Sequence, residues 1–281
     1  MVITRYKKRH CLPASMVSDC HQKMSFTFNY FIFNMKFFFA LVNLLFITNA
    51  HAQTQFIATG KIEFEQKINM YSKLGNNTWD EALKSKNPEY SIGYFNLQFD
   101  AHQSTYKVGK EYDDPWKKTW YGNSGEDENI IYNNYDSGWT IAKKQVYEKL
   151  YKLEDSLMPI AWKITNDTRT IAGFECRKAI GKMFDTLYVV AFYTDQITTP
   201  GGPANYTGLP GMILGIGLPR FHTTLFATKL YLDSPPPTEL MPPAKGKKIN
   251  RTELMKQIKE VFTNNRWYGD DWQKAFWPKV L

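Results

Sequence analysis

Gly60-Lys61-Ile62-Glu63-Phe64-Glu65-Gln66-Lys67-Ile68 alternates apolar and charged residues with a period of two. Ile62, Phe64 and Ile68 fall on one face; Lys61, Glu63, Glu65 and Lys67 fall on the other. That is the pattern of a strand with one buried face. Working outward, Tyr94 to Phe99 repeats it, with Phe95, Leu97 and Phe99 inward. Asn129 to Tyr132, Trp139 to Tyr147, Phe174 to Lys182 and Thr224 to Leu232 read as further strands. Leu187 to Tyr193 is apolar on both faces, which predicts a central strand. Asn76-Asn77, Asp136-Ser137-Gly138, Asn166-Asp167 and Pro200-Gly201-Gly202-Pro203 are turn signals between them. The expected fold is mainly β: a curved antiparallel meander sheet or half-barrel.

Two segments depart from the strand pattern. Trp79 to Lys86 reads as a short helix. Residues 235–248, with Pro235-Pro236-Pro237 and Pro242-Pro243, read as a stiff linker. After it, Asn250 stands three residues before Glu253, a capping-box spacing, and Ile249 and Leu254 form a hydrophobic staple. Leu254, Ile258, Val261 and Phe262 make one apolar stripe, so an amphipathic helix packed on the sheet is expected from Asn250 to about Asn264. Trp267, Tyr268, Trp272, Phe276 and Trp277 follow as an aromatic tail within residues 249–281.

The N-terminal region sets the expected address. Phe37 to Ile47 is an apolar run of signal-peptide length, preceded by Lys36 and followed by Ala50-His51-Ala52. Small residues at Ala50 and Ala52 predict cleavage between Ala52 and Gln53. Residues 35–52 then form the signal, residues 1–34 are an upstream extension, and residues 53–234 form the β domain. An uncleaved anchor over Phe26 to Ile47 is the alternative, at the cost of Asn29, Asn34 and Lys36 inside the bilayer. Cleavage predicts a periplasmic or otherwise exported product that meets the membrane only transiently, through its signal.

That cut changes the inventory. Of 281 residues it leaves 229, enough for one domain with a substantial core. Six of the 35 basic residues and Asp19, one of the 27 acidic ones, go with the leader; 29 against 26 leaves +3 in place of +8. The remaining charges are interspersed, and only Lys245, Lys247 and Lys248 form a short basic cluster, beside prolines, so nucleic acid is not an expected partner. Cys176, His102 and His222 are the cysteine and histidines that stay. They provide no metal-ligand spacing and no serine triad, so no metal, cofactor or catalytic residue is assigned. Cys176 shares a strand face with Phe174 and Ile180 and reads as a buried thiol. Asp113-Asp114, Glu126-Asp127-Glu128 and Asp270-Asp271 read as solvated turns.

Tyr206-Thr207-Gly208-Leu209-Pro210-Gly211-Met212-Ile213-Leu214 resembles the signature of the GLPGLI family of exported bacterial proteins. Trp162-Lys163-Ile164, Gly173 to Ala179, Phe192-Tyr193-Thr194 and Gly202-Pro203 resemble its other blocks in order. The resemblance implies export and supplies no activity or ligand. Physically, Gly208 to Gly211 is a tight bend entering a strand. Tyr193, Gly202, Pro203, Tyr206, Gly208, Leu209, Pro210 and Gly211 are the candidate ligand or partner loop; the plainer reading is a turn that seats Met212, Ile213 and Leu214 in the core.

Aromatic residues make up 16% of the chain, and Trp116, Trp120 and Tyr121 fall in loops. They could line a groove for an apolar or glycan ligand, or cover the open ends of the sheet. The expected function is a non-catalytic binding or interaction protein of the bacterial cell envelope, with an apolar ligand, a peptide or an envelope protein as partner. A carboxylate-based envelope hydrolase and a structural envelope component are the alternatives.

Overall fold

The computed structural model describes residues 56–119, 129–146, 149–184 and 187–264, all within the unit Gln55–Leu281. The extension, the signal with its Ala52/Gln53 cut, Trp120, Tyr121, the Glu126–Glu128 and Asp270-Asp271 clusters and the aromatic tail lie outside them. The elements run β1 (Gly60–Asn69), α1 (Thr78–Lys86), β2 (Tyr90–Phe99), β3 (Gln103–Val108), β4 (Ile130–Asn134), β5 (Trp139–Val146) and β6 (Lys149–Ser156). Then come β7 (Ala161–Ile171), β8 (Phe174–Met183), β9 (Leu187–Thr194), β10 (Met212–Leu218), β11 (Thr223–Tyr231), β12 (Lys247–Ile249) and α2 (Arg251–Asn264). No helix among the described residues is long and apolar enough to cross a membrane.

The 12 strands among the described residues form one open sheet, in the order β12-β6-β5-β4-β3-β2-β1-β11-β10-β9-β8-β7. Two antiparallel meanders, β1 to β6 and β7 to β11, lie side by side along the β1–β11 seam. Among these strands only β12, on β6, pairs in parallel. The fold is thus mainly β, as the alternation predicts.

The sheet has to curl. β6 and β7 are ten strand spacings apart, roughly 48 Å if the sheet were flat. Four residues, 157–160, join them, and that link reaches only about 17 Å. The two edges are therefore drawn toward each other, and the concave face becomes the core. One row shows this: Ile62, Leu97, Tyr106, Ile131, Ala142, Leu153 and Ile249 are cross-strand partners in sequence, and all are buried.

The helix docks through the first half of its stripe, for Val261 is exposed and the Phe262 side chain lies outside the described residues. Asn250 caps α2 by accepting the Glu253 N–H at 2.8 Å. Leu254 and Ile258 are buried in the same core as the sheet. Asp155 at the end of β6 accepts the Arg251 N–H at 2.9 Å, and the Arg251 guanidinium donates to the Ser156 carbonyl at 3.0 Å.

Several expectations change. β3, β6, β7 and β12 are strands that the alternation does not announce, and β12 takes Lys247 and Lys248 out of the expected 235–248 linker into the sheet. Asn166-Asp167 is no turn between strands but an irregularity within β7, where the register with β8 shifts between Ile164 and Thr168. β9 is not buried on both faces, since Tyr188 is 59% exposed. Its neighbour β10 is buried on both faces, from Met212 to Ile216. The proline-rich stretch lies against the sheet: Leu240 is buried, and Glu239 pairs with Lys107 of β3.

Candidate functional site

The loop between β9 and β10, residues 195–211, carries most of the candidate residues, and it closes one end of the curled sheet. The row of inward positions next to the apolar row is polar: Ser104, Asn133 and Thr140 are cross-strand partners and are buried. These side chains meet the loop. Asn133 donates from Nδ2 to the Ala204 carbonyl at 3.0 Å, and Thr140 Oγ1 lies 3.3 Å from Asn205 Oδ1. Thr199 donates to the Asp100 carbonyl at 2.8 Å, and Trp162 of β7 donates from Nε1 to the Thr207 carbonyl at 2.9 Å. A buried loop carries backbone groups that water cannot reach, so strands from both meanders supply the partners.

Two glycines make this path feasible. Gly211 has φ of +132°, and a Cβ there would lie 2.1 Å from the Thr194 carbonyl oxygen. A Cβ on Gly201 would lie 2.2 Å from the Tyr135 hydroxyl, which in turn hydrogen-bonds Ser104 Oγ at 2.6 Å. Burial pushes the Tyr135 hydroxyl up to about 12, and it raises the Tyr206 hydroxyl too. Both therefore stay neutral and act as dipoles, not as bases.

The candidate loop residues divide accordingly. Tyr193, Gly202, Pro203, Tyr206, Leu209 and Gly211 are buried, while Gly208 and Pro210 reach the surface. The bend seats Met212, Ile213 and Leu214 in the core. Beside it, a recess of about 110 Å³ is walled by Glu175, Arg177, Tyr193, Thr194, Asp195 and Gln196. Cys176 is fully buried, and burial pushes its thiol up to about 11.

A larger concavity lies elsewhere, where β3 ends before β2 does. A cleft of about 460 Å³ separates β2, at Ile92 to Phe95, from the segment Lys110 to Asp113 and Lys117. The Tyr94 and Tyr112 rings meet edge to face, with centroids 5.9 Å apart at 80°. Lys110 Nζ sits 5.5 Å from the Tyr94 centroid. The floor is anchored by Asp114 and Trp116. Asp114 accepts from Ser91 Oγ and from the Trp116 N–H, and Trp116 Nε1 donates to the Pro88 carbonyl at 2.7 Å.

This corrects two expectations. Asp114 is not a solvated turn residue: it is 1% exposed and caps the turn Pro115–Lys118. Trp116 is not a groove-lining aromatic, because its ring is fully buried. Asp113 does reach solvent, paired with Lys118 at 2.9 Å. Sequence reasoning missed Tyr94 and Tyr112, since Tyr94 reads simply as the start of a strand. Among the described residues, no three His, Cys, Asp or Glu side chains converge as metal ligands. His102 contacts Asp136 at the surface, at 2.9 Å.

Comparison with known proteins adds little beyond the motif. Residues 181–215 match a family described as "Protein of unknown function (Porph_ging)". Among curated proteins, none matches the chain. Two crystal forms of PNGF-II align at 14% and 13% identity, with TM-scores of 0.44 and 0.45. Each alignment covers 72% of this chain but 33% of PNGF-II, so the chain spans about a third of that protein's length. An uncharacterized conserved protein from Thermus thermophilus aligns at 6% identity and a TM-score of 0.34, covering 69% of this chain and 90% of the other.

Proposed function

We propose that this chain is an exported, non-catalytic binding protein of the bacterial cell envelope, and that its ligand occupies the cleft between β2 and Lys110–Lys117. The cleft carries the reading. Its volume of about 460 Å³ falls in the ~300–1,000 Å³ range of ligand sites. Its walls combine aromatic faces with a few charged groups, a mix that suits binding through stacking and hydrogen bonds. The motif loop is the weaker candidate, because its polar groups are spent on holding the sheet together.

The export part rests on the leader, with its apolar run and Ala50-His51-Ala52. Membership of the GLPGLI family is part of the same proposal. It is supported by Gly208 to Leu214, which falls inside the matched residues 181–215. The test has two arms. N-terminal sequencing of the protein from an envelope fraction should begin at Gln53; a product retaining Met1 defeats export. Native mass spectrometry of the same material should show a bound species that Tyr112→Ala releases. A clean apo mass for both proteins defeats ligand binding.

A further inference from the structure

We infer that the cleft binds an extended peptide, which adds as a short strand to the free edge of β2. The inference rests on the reading of the cleft as the binding site and names its ligand class. It follows from where the β2 backbone groups point. Asn69 and Tyr90 are cross-strand partners, and Met70 N–H donates to the Glu89 carbonyl at 2.9 Å, just outside that pair. In an antiparallel ladder this marks Asn69–Tyr90 as a pair that exchanges no hydrogen bonds with each other. The register between β1 and β2 runs without a bulge from there. Tyr90, Ile92 and Tyr94 therefore all turn their N–H and C=O groups away from β1.

The far side of β2 gives the same phase independently. Gly109 N–H donates to the Tyr94 carbonyl at 2.9 Å, the last rung on that side. β3 pairs with β2 only from Phe95 to Phe99, so among the described residues no strand continues the ladder past Tyr94. Among the described residues, no hydrogen bond reaches the main chain of Tyr90 or Ile92 from the cleft side. Ile92 also lines the cleft.

Donors and acceptors repeating every second residue, about 6.8 Å apart, match the backbone of an extended polypeptide. A sugar ring or a lipid chain has no such repeat. An added strand would place its hydrogen-bonded residues opposite Tyr90 and Ile92. Their side chains would share a face with Tyr94 and Tyr112, so apolar residues at alternate positions are favoured. The occupant is thus an extended peptide with alternating apolar side chains, held through its main chain.

The test uses the purified full chain and two probes. Acetyl-Thr-Val-Thr-Val-Thr-amide should slow hydrogen exchange at the Ile92 amide and shift the Tyr94 and Tyr112 resonances. The same peptide N-methylated at both valines should bind at least tenfold more weakly, as should the unmodified peptide to Ile92→Pro. That substitution removes a donor β1 does not use, and the methylated peptide keeps the test valid if the variant fails to fold. Equal binding of the two peptides overturns the inference. A maltotriose response at Tyr94 and Tyr112, with none from the peptide, overturns the peptide class and leaves the binding reading standing. No response to either probe overturns both.

Discussion

The guanidinium of Arg169 stands 4.6 Å from the centroid of the Phe226 ring, bridging β7 to β11 across the face of the sheet. It lies 5.8 Å from Phe192 as well. The contact depends on Gly215. Phe192, Gly215 and Phe226 are cross-strand partners, and the missing side chain lets the two rings close to 6.1 Å. A Cβ at Gly215 would lie 2.6 Å from the Phe226 ring and 3.0 Å from Ile171. Gly215→Val should destabilise by about 1–3 kcal/mol through overpacking. Arg169→Ala should cost about 0.5–1 kcal/mol. Urea unfolding followed by tryptophan fluorescence measures both, and Gly215→Val at wild-type stability would refute the packing account.

The plugged end makes a second prediction. Asn133→Ala removes the donor to the carbonyl of half-buried Ala204 and should cost about 0.5–1.5 kcal/mol. Thr224→Ala, at an exposed position of β11, should change stability by less than about 0.5 kcal/mol. Equal effects in urea melts would mean that the loop's hydrogen bonds carry no special weight.

A third prediction concerns pH. Burial opposes ionisation of Asp155, but the N–H donors of Arg251 and Ser156, with the Arg251 charge, outweigh it and hold the carboxyl below its usual value. A lowered folded-state value means the stabilisation is present above the unfolded carboxyl's pKa of about 3.9 and is lost as pH falls through the folded one. The urea midpoint of the wild type should exceed that of Asp155→Asn at pH 6. The gap should narrow steadily below about pH 4. A gap independent of pH would show that Asp155 does not clamp α2.

Cys176 gives a fourth. A buried thiol pushed up to about 11 carries almost no thiolate at pH 8. Ellman's reagent should react with it at least a hundredfold more slowly in the native protein than in 6 M guanidinium. With Cys11→Ser and Cys20→Ser in place, the signal belongs to Cys176 alone. Rapid native labelling would show that its strand opens readily.

How much of this is legible in the chain depends on what each strand faces. β1 is clear because Ile62 and Phe64 point to an apolar core while charged neighbours point to solvent. β3 is hidden because Ser104, an inward residue, faces the polar plug. β6 is hidden because Leu150 and Tyr151 are adjacent and erase the period of two. β9 reads as the central strand because Leu187 to Tyr193 is apolar without a break, whereas Gly215 and Gly217 interrupt the apolar run of β10, Gly215 making room for the Phe226 ring. Polar residues at inward strand positions, Asn133 and Thr140 above all, were the available sign of a buried loop. The cleft had no sign at all, since it arises from unequal lengths of β2 and β3.

The four-residue link between β6 and β7 also shapes how the chain reaches this structure. Each meander is a run of near neighbours in sequence and can zip locally. Joining them along the β1–β11 seam brings Glu65 against Phe226, a contact between distant parts of the chain. Seam closure then carries most of the loop entropy and sets the folding rate. Until it closes, β1 and β11 present two long bare edges to any neighbouring chain, so the hazard during biogenesis lies at the middle of the finished sheet and not at its rims.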